Sequence, residues 1–229
     1  MNSNDTKNEP VLAPLDARWD DAKSFKDLIV LNKEFINGKL DQTPYHGGPL
    51  EHGDDELKRK LVQLHDYGLL TVDGQDATCK YGYCTTTAFY SHKNRSKQTY
   101  YIDMEQRPYL SFYMDLVENE SLANSLLQQI QASDLMFVMD NIATNDHVTN
   151  LKKGSHYCVT RYRYGLDKTA LHTQKWFMST SVPENVLQYY WGDAAPILEK
   201  TMYFDVAMRE YGKGDLESIL LDMCRKNRS

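Results

Sequence analysis

Acidic and histidine side chains that could carry acid–base chemistry are scattered along this 229-residue chain. General acid–base catalysis needs two titratable groups held close together, and no short spacing in the chain identifies such a pair. The candidates are three acidic residues and two histidines: Asp103, Glu105, Asp115, His156 and His172. Glycine-rich nucleotide loops, the G-x-S-x-G nucleophile motif, H-E-x-x-H and C-x-x-C do not occur. The residues alone therefore indicate no particular reaction.

The cysteines and histidines lack the spacing of a metal site. Cys79 and Cys84 are five residues apart, and no second Cys or His pair follows at the separation that zinc sites use. His65 falls on a predicted helix, where we expect it to be packed or at the surface. No apolar secretion signal follows the polar first residues, and no stretch approaches a membrane span. We therefore expect a cytoplasmic protein with reduced thiols, no metal and no membrane partner.

The net charge of −6 argues against nucleic acid as the main partner. Two local basic features remain. Residues 92–97 are expected to form a solvated hairpin tip, although they could touch phosphates. Arg161 and Arg163 share one face of a predicted strand. They could form an anion-binding strip or the solvated side of a sheet.

Apolar periodicity predicts about five helices and at least seven strands. Residues 1–17 are polar and proline-rich and are expected to be a disordered tail, so residues 18–229 form a single α+β domain. Asp73 and Gly74 are expected to form a turn. The predicted helices cover residues 24–38, 54–68, 119–132, 183–190 and 215–226. The predicted strands cover residues 69–72, 84–90, 98–103, 108–115, 134–140, 155–164, 175–180 and 202–208.

Side chains alternate along the predicted strand 108–115, and many of the 16 tyrosines lie on such strands. Tyrosine suits half-buried sheet surfaces, where the ring packs and the hydroxyl reaches a polar partner. One face of this strand is predicted to be apolar, and the other carries hydroxyl groups. The apolar set is Leu110, Phe112 and Met114, and the hydroxyl set is Tyr109, Ser111 and Tyr113.

Two segments resemble the C-terminal regulatory domain of eukaryotic methylenetetrahydrofolate reductase, which binds S-adenosylmethionine. Residues 55–75, DELKRKLVQLHDYGLLTVDGQ, are similar to its leucine-rich helix that ends in Gly, its Leu-Thr strand and its Asn-Ser-Gln turn. Residues 106–113, QRPYLSFY, are similar to its Gln-x-x-Tyr-Leu-Glu-Phe-Phe strand. Small bacterial proteins of unknown function carry a similar pattern. The resemblance implies two mixed β-sheets side by side, with about five helices packed outside them.

The resemblance also implies a ligand site built on threonines. Carried over by position, Thr71, Thr160 and Thr173 would line a pocket for S-adenosylmethionine or S-adenosylhomocysteine. A threonine offers a donor, an acceptor and a methyl group on a stiff side chain. Tyr162 should share a face with Thr160, and its ring could lie against the sulfonium or the adenine.

The chain departs from the family at the predicted turn and at the start of the second helix. Gly74 stands where the family has a serine, so that hydroxyl is missing. The family's Glu-Thr pair falls near Gly53 and Asp54, and Asp54 could meet the ammonium of the ligand. No catalytic barrel precedes the domain in this sequence.

These observations leave three functions open. The first is a stand-alone sensor or regulatory module that binds a nucleoside ligand and acts on a protein partner or as a homo-oligomer. The second is a structural or interaction protein, such as a viral or plasmid accessory protein, that keeps the fold without the ligand. The third is an enzyme acting on a nucleoside or nucleotide in the same pocket.

Overall fold

A computed structural model describes residues 15–45, 55–75, 77–87, 97–151, 157–165, 172–178, 187 and 190–227. The helices are α1 (Phe25–Ile36), α2 (Asp55–Asp66), α3 (Leu116–Ala132), α4 (Ala195–Leu198) and α5 (Leu216–Lys226), with a 3-10 helix at Gly192–Ala194. The strands are β1 (Leu69–Gln75), β2 (Thr78–Thr87), β3 (Lys97–Gln106), β4 (Tyr109–Asp115), β5 (Met136–Asn141), β6 (Asp146–Thr149), β7 (Tyr157–Gly165), β8 (His172–Met178) and β9 (Thr201–Ala207).

Local sequence signals account for the ends of the first helices. The Ser24 hydroxyl accepts a hydrogen bond from the backbone N–H of Asp27, and the Asp27 carboxylate accepts one from the backbone N–H of Ser24. This reciprocal pair begins α1 as predicted. Gly68 follows α2 with a φ of +85°, a conformation that glycine adopts without strain.

The strands form a five-stranded sheet in the order β1-β4-β9-β5-β6 and a four-stranded sheet in the order β2-β3-β7-β8. The predicted α+β class with two sheets is confirmed. All seven pairings between described strands are antiparallel. The resemblance implies mixed sheets instead, which would contain parallel pairs as well. The short connections from β1 to β2 and from β3 to β4 carry the chain from one sheet to the other.

Three sequence-based assignments need correction. Asp73 and Gly74 lie within β1 rather than in a turn. β2 begins at Thr78, six residues before the predicted strand, because its whole length pairs with β3. β6 was not predicted, because it is a short edge strand that begins with an aspartate. Most of the predicted helix at residues 183–190 lies outside the described residues, as do residues 1–14 of the predicted tail.

One face of the five-stranded sheet is largely apolar. Leu110, Phe112 and Met114 of β4 pack there against residues from α2, α3 and α5, which confirms their predicted alternation. The rings of Phe112 and Phe204 stack on this face with centroids 5.0 Å apart. The opposite face is covered in part by α1 and by the segment around Trp191. The two faces therefore differ in character, and the polar groups of the sheet collect on the second one.

Candidate functional site

A β-bulge in β1 decides which face of the five-stranded sheet Asp73 occupies. Thr71 pairs with Phe112, but the next pair joins Asp73 to Ser111, so one extra residue lies between them. In an uninterrupted ladder Asp73 would pair with Leu110 and face the apolar core, because a shift of one residue exchanges the two faces of a strand. The bulge places the Asp73 carboxylate beside Ser111 instead.

Asp73, Ser111 and Asp205 lie in register across β1, β4 and β9, and we call them the carboxylate row. The Ser111 hydroxyl donates to Asp205 Oδ1 at 3.0 Å. The Tyr109 hydroxyl lies 3.4 Å from both carboxylate oxygens of Asp73. Asp205 is only 1% exposed, whereas Asp73 is exposed. The row therefore runs from solvent into the body of the sheet.

Aromatic side chains adjoin the carboxylate row on the same face. Tyr113 and Tyr203 are opposite each other on β4 and β9, with ring centroids 5.0 Å apart. Trp191 contacts Tyr113 and Tyr45, with ring centroids 6.1 and 5.3 Å apart. We call these four residues the tyrosine–tryptophan cluster. Burial and the nearby Asp205 carboxylate raise the pKa of Tyr203 well above its ordinary value, and burial also raises the pKa of Tyr113.

The carboxylate row and the tyrosine–tryptophan cluster together suit a ligand that carries positive charge on an apolar or heteroaromatic body. Carboxylates form charge-assisted hydrogen bonds with an ammonium, and aromatic faces attract cations and stack with flat heterocycles. Since the pKa values of Tyr113 and Tyr203 are raised, these phenols stay protonated near neutral pH. Within the described residues, no group of three or more His, Cys, Asp or Glu could hold a metal ion.

The structure places the predicted threonines in two different sheets. Thr71 lies in β1, is buried, and immediately precedes the bulge. Thr160 lies in β7 of the four-stranded sheet, where its hydroxyl donates to Gln106 Oε1 at 3.2 Å. Thr173 lies in the adjacent strand β8 opposite Arg163, three positions along β7 from Thr160. A ligand that reached all three threonines would have to lie across the junction of the sheets.

The other predicted ligand residues have more varied positions. Gly74 lies in β1 opposite Leu110, next to the apolar core. Tyr162 lies on β7, two positions from Thr160, and pairs with Met104 of β3 and Gln174 of β8. Asp54 lies outside the described residues.

Several sequence candidates for chemistry have structural partners. Arg161 forms an ion pair with Glu105, and Arg163 forms one with Asp103, so the two arginines lie on the solvated side of a sheet with their charges matched. Hydrogen bonds from the Tyr81 hydroxyl and the Arg161 guanidinium lower the pKa of Glu105.

The remaining candidates are Asp115, His156 and His172. His172 is the first residue of β8 and pairs with Tyr164 of β7. The Asp115 carboxylate accepts from the backbone N–H of Val117 at the start of α3, so it caps that helix. His156 lies outside the described residues.

The segment after β9 connects the two sheets. The Gly212 N–H donates to the Gln106 carbonyl at 2.8 Å, and the Arg107 guanidinium donates to the Met208 carbonyl at 3.2 Å. The guanidinium carbons of Arg107 and Arg161 lie 4.0 and 4.2 Å from the centre of the Tyr211 ring. Each contact is a cation–π interaction. Tyr211 therefore joins the β3–β4 connection to β7.

A buried polar network joins α1 and α2 to β1. His65 Nδ1 lies 2.7 Å from the Leu61 carbonyl and therefore carries the proton, which leaves Nε2 to accept from Asn32 Nδ2 at 3.0 Å. Asn32 Nδ2 also donates to the Thr71 carbonyl at 2.5 Å. The Tyr45 hydroxyl donates to Asn32 Oδ1 at 2.6 Å. We call Asn32, Tyr45, His65 and the Thr71 carbonyl the asparagine network. The sequence left open whether His65 is packed or at the surface. It is packed, since it is only 2% exposed.

The sequence analysis missed the carboxylate row. One available signal was an aspartate in the middle of the otherwise apolar segment TMYFDVA, which is β9. No family model matches the chain, and a search of curated proteins finds no match either. Within the described residues, none of the helices is both long enough and apolar enough to cross a lipid bilayer.

The buried histidine predicts an acid-sensitive fold. Burial lowers the pKa of His65 to about 4, whereas in the unfolded chain it is about 6.5. As the pH falls through this window, the unfolded state binds a proton that the folded state excludes. The free energy of unfolding should therefore fall, by about 3 kcal/mol when the pH reaches 4.

Urea denaturation between pH 7.5 and 4 measures this loss. His65→Gln should flatten the dependence of stability on pH, and the control His147→Gln, at an exposed histidine, should retain it. Equal slopes for wild type and His65→Gln would contradict the assignment.

Placing a serine at position 74, as in the regulatory domain that the sequence resembles, should destabilise the fold. A Cβ atom on Gly74 would lie 2.5 Å from Leu110 Cδ1 and 3.0 Å from the Tyr109 carbonyl oxygen. The leucine methyl can rotate, but the carbonyl belongs to the β4 backbone. We expect Gly74→Ser to cost about 1–3 kcal/mol in urea denaturation. In a double-mutant cycle with Leu110→Ala, the serine should cost less when the leucine is shortened. Additive losses would refute the steric explanation.

Proposed function

We propose that this chain is a sensor or regulatory module that binds S-adenosylmethionine or S-adenosylhomocysteine on the polar face of its five-stranded sheet. The observation that carries the proposal is the carboxylate row beside the tyrosine–tryptophan cluster. The row runs from the exposed Asp73 to the buried Asp205. A ligand with an ammonium at one end and an adenine at the other matches this combination of charge and aromatic surface.

The chemistry of each ligand group suits a different part of this face. The ammonium is a donor for the exposed Asp73 carboxylate, the buried Asp205 charge attracts it from within the sheet, and the sulfonium is a cation that tyrosine faces attract. The rings of Tyr45 and Tyr203 are partly exposed and offer stacking surfaces for the adenine, whereas Trp191 and Tyr113 are buried and support them. The sequence resemblance assigns Thr71 to the ligand site. Its side chain is in register with Phe112 on the apolar face, so Thr71 contributes to the polar face only through the bulge that follows it in β1.

Calorimetric titration of the full chain tests the proposal directly. S-adenosylmethionine should bind more tightly than S-adenosylhomocysteine, because only the former carries the sulfonium charge, and adenosine should bind more weakly than either. The same order should appear as thermal shifts. No heat and no thermal shift with either ligand at millimolar concentration would refute the proposal.

Removing the buried charge of the row should weaken binding without changing the shape of the side chain. Asp205→Asn keeps the size of the residue and removes a buried negative charge that attracts the ammonium, so we expect about a tenfold loss of affinity for S-adenosylmethionine. The matched control is Asp222→Asn on α5, where the aspartate pairs with Arg225 at the surface. Equal affinities of the two variants in the same titration would contradict the assignment of Asp205.

A second candidate is an interaction protein that keeps the fold without the ligand. Two contacts favour it. The space next to Gly74 is occupied by Leu110, and the Thr160 hydroxyl already donates to Gln106. This candidate requires a chain that gives no heat with either nucleoside and that forms an oligomer in light scattering. A monomer that binds S-adenosylmethionine would exclude it.

A further inference from the structure

The Thr71 carbonyl holds a special position, because it is the last carbonyl of β1 before the bulge. A bulge interrupts the ladder and leaves backbone groups without their usual partner on the neighbouring strand. Buried backbone groups need a hydrogen bond from elsewhere. Here the Thr71 carbonyl accepts from Asn32 Nδ2 at 2.5 Å, and the Tyr45 hydroxyl, whose proton goes to Asn32 Oδ1, lies 3.1 Å from the same carbonyl.

Asn32 can adopt only one orientation in this network. Its amide nitrogen donates to Thr71 and to His65, and its amide oxygen accepts from Tyr45. All of its amide hydrogens and its oxygen therefore have partners. A flipped amide would place its oxygen against the Thr71 carbonyl and its nitrogen against the Tyr45 hydroxyl. Asn32 is 1% exposed, so water cannot replace the lost partners, and the amide acts as a rigid support for β1.

We propose that Asn32 is a positioning residue for the ligand site, because it holds the Thr71 carbonyl and thereby keeps Asp73 in the carboxylate row. The inference rests on the proposed function. Asn32 belongs to α1, and its effect reaches the ligand through Thr71 and Asp73 of β1. Without this support, β1 can return to a regular ladder, in which Asp73 pairs with Leu110 and leaves the polar face.

The test compares three variants of the full chain by calorimetry with S-adenosylmethionine. Asn32→Ala removes the donor to Thr71 and should lower the affinity about tenfold. Leu28→Ala, also on α1 and fully buried, is the matched control: it lowers stability by creating a cavity but should leave the affinity of the folded protein unchanged. Asp73→Asn removes the charge that Asn32 is inferred to place.

The decisive readout is the coupling between Asn32 and Asp73. If Asn32 acts through Asp73, the double variant should bind about as weakly as the weaker of the two single variants. Asn32→Ala should also reduce the preference for S-adenosylmethionine over S-adenosylhomocysteine, because a displaced carboxylate no longer favours the sulfonium. Additive losses, or an Asn32→Ala variant that binds like Leu28→Ala, would overturn the inference while the proposed function stands. A wild-type chain that binds neither ligand would overturn both.

If Asn32→Ala does not fold, Tyr45→Phe tests the same network. It keeps the ring beside Trp191 and removes the hydroxyl that donates to Asn32 and lies next to the Thr71 carbonyl. We expect an affinity loss of about fivefold that is again not additive with Asp73→Asn. Affinity and ligand preference equal to those of the wild type would overturn the inference.

Discussion

One extra residue between Thr71 and Asp73 is the constraint on which the polar face of this protein depends. The period of a strand is two, so a single insertion changes the face of every side chain that follows. In β1 the insertion directs Asp73 away from the apolar core and Gly74 towards it. A bulge costs backbone hydrogen bonds, and the asparagine network replaces them at the Thr71 carbonyl. The polar face is therefore stabilised from α1 and α2 as well as from the sheet.

Asp205 is buried within the sheet. Burying a carboxylate costs free energy unless it has hydrogen-bond partners. Ser111 supplies one donor, and the neighbouring Tyr203 stays protonated because burial, and after it the negative charge of Asp205, raise the pKa of its phenol. The two faces of one sheet thus have separate roles. The face that carries Phe112 and Phe204 supplies hydrophobic stabilisation, and the opposite face carries groups that interact with charge.

The sequence predicted what depends on local periodicity and missed what depends on distant partners. The alternation of β4 was correct for Leu110 and Tyr113 alike, because a strand between two covered faces repeats every two residues. Asp73-Gly74 was taken for a turn, since that dipeptide favours turns in isolation. It is part of a strand because Asp73 and Gly74 pair with Ser111 and Leu110 of β4, more than 30 residues later in the chain. No local pattern reports such a contact, and the same is true of the pairing between Ser111 and Asp205.

The ring of Tyr211, held between the guanidinium groups of Arg107 and Arg161, has a consequence for how the two sheets unfold. Arg107 lies in the connection between the sheets, and Arg161 lies in the four-stranded sheet, so the stacked side chains tie the two sheets together near Gln106. Opening either sheet at this point breaks the stack. The junction therefore couples the local stability of one sheet to that of the other, and the two sheets should open there as one cooperative unit.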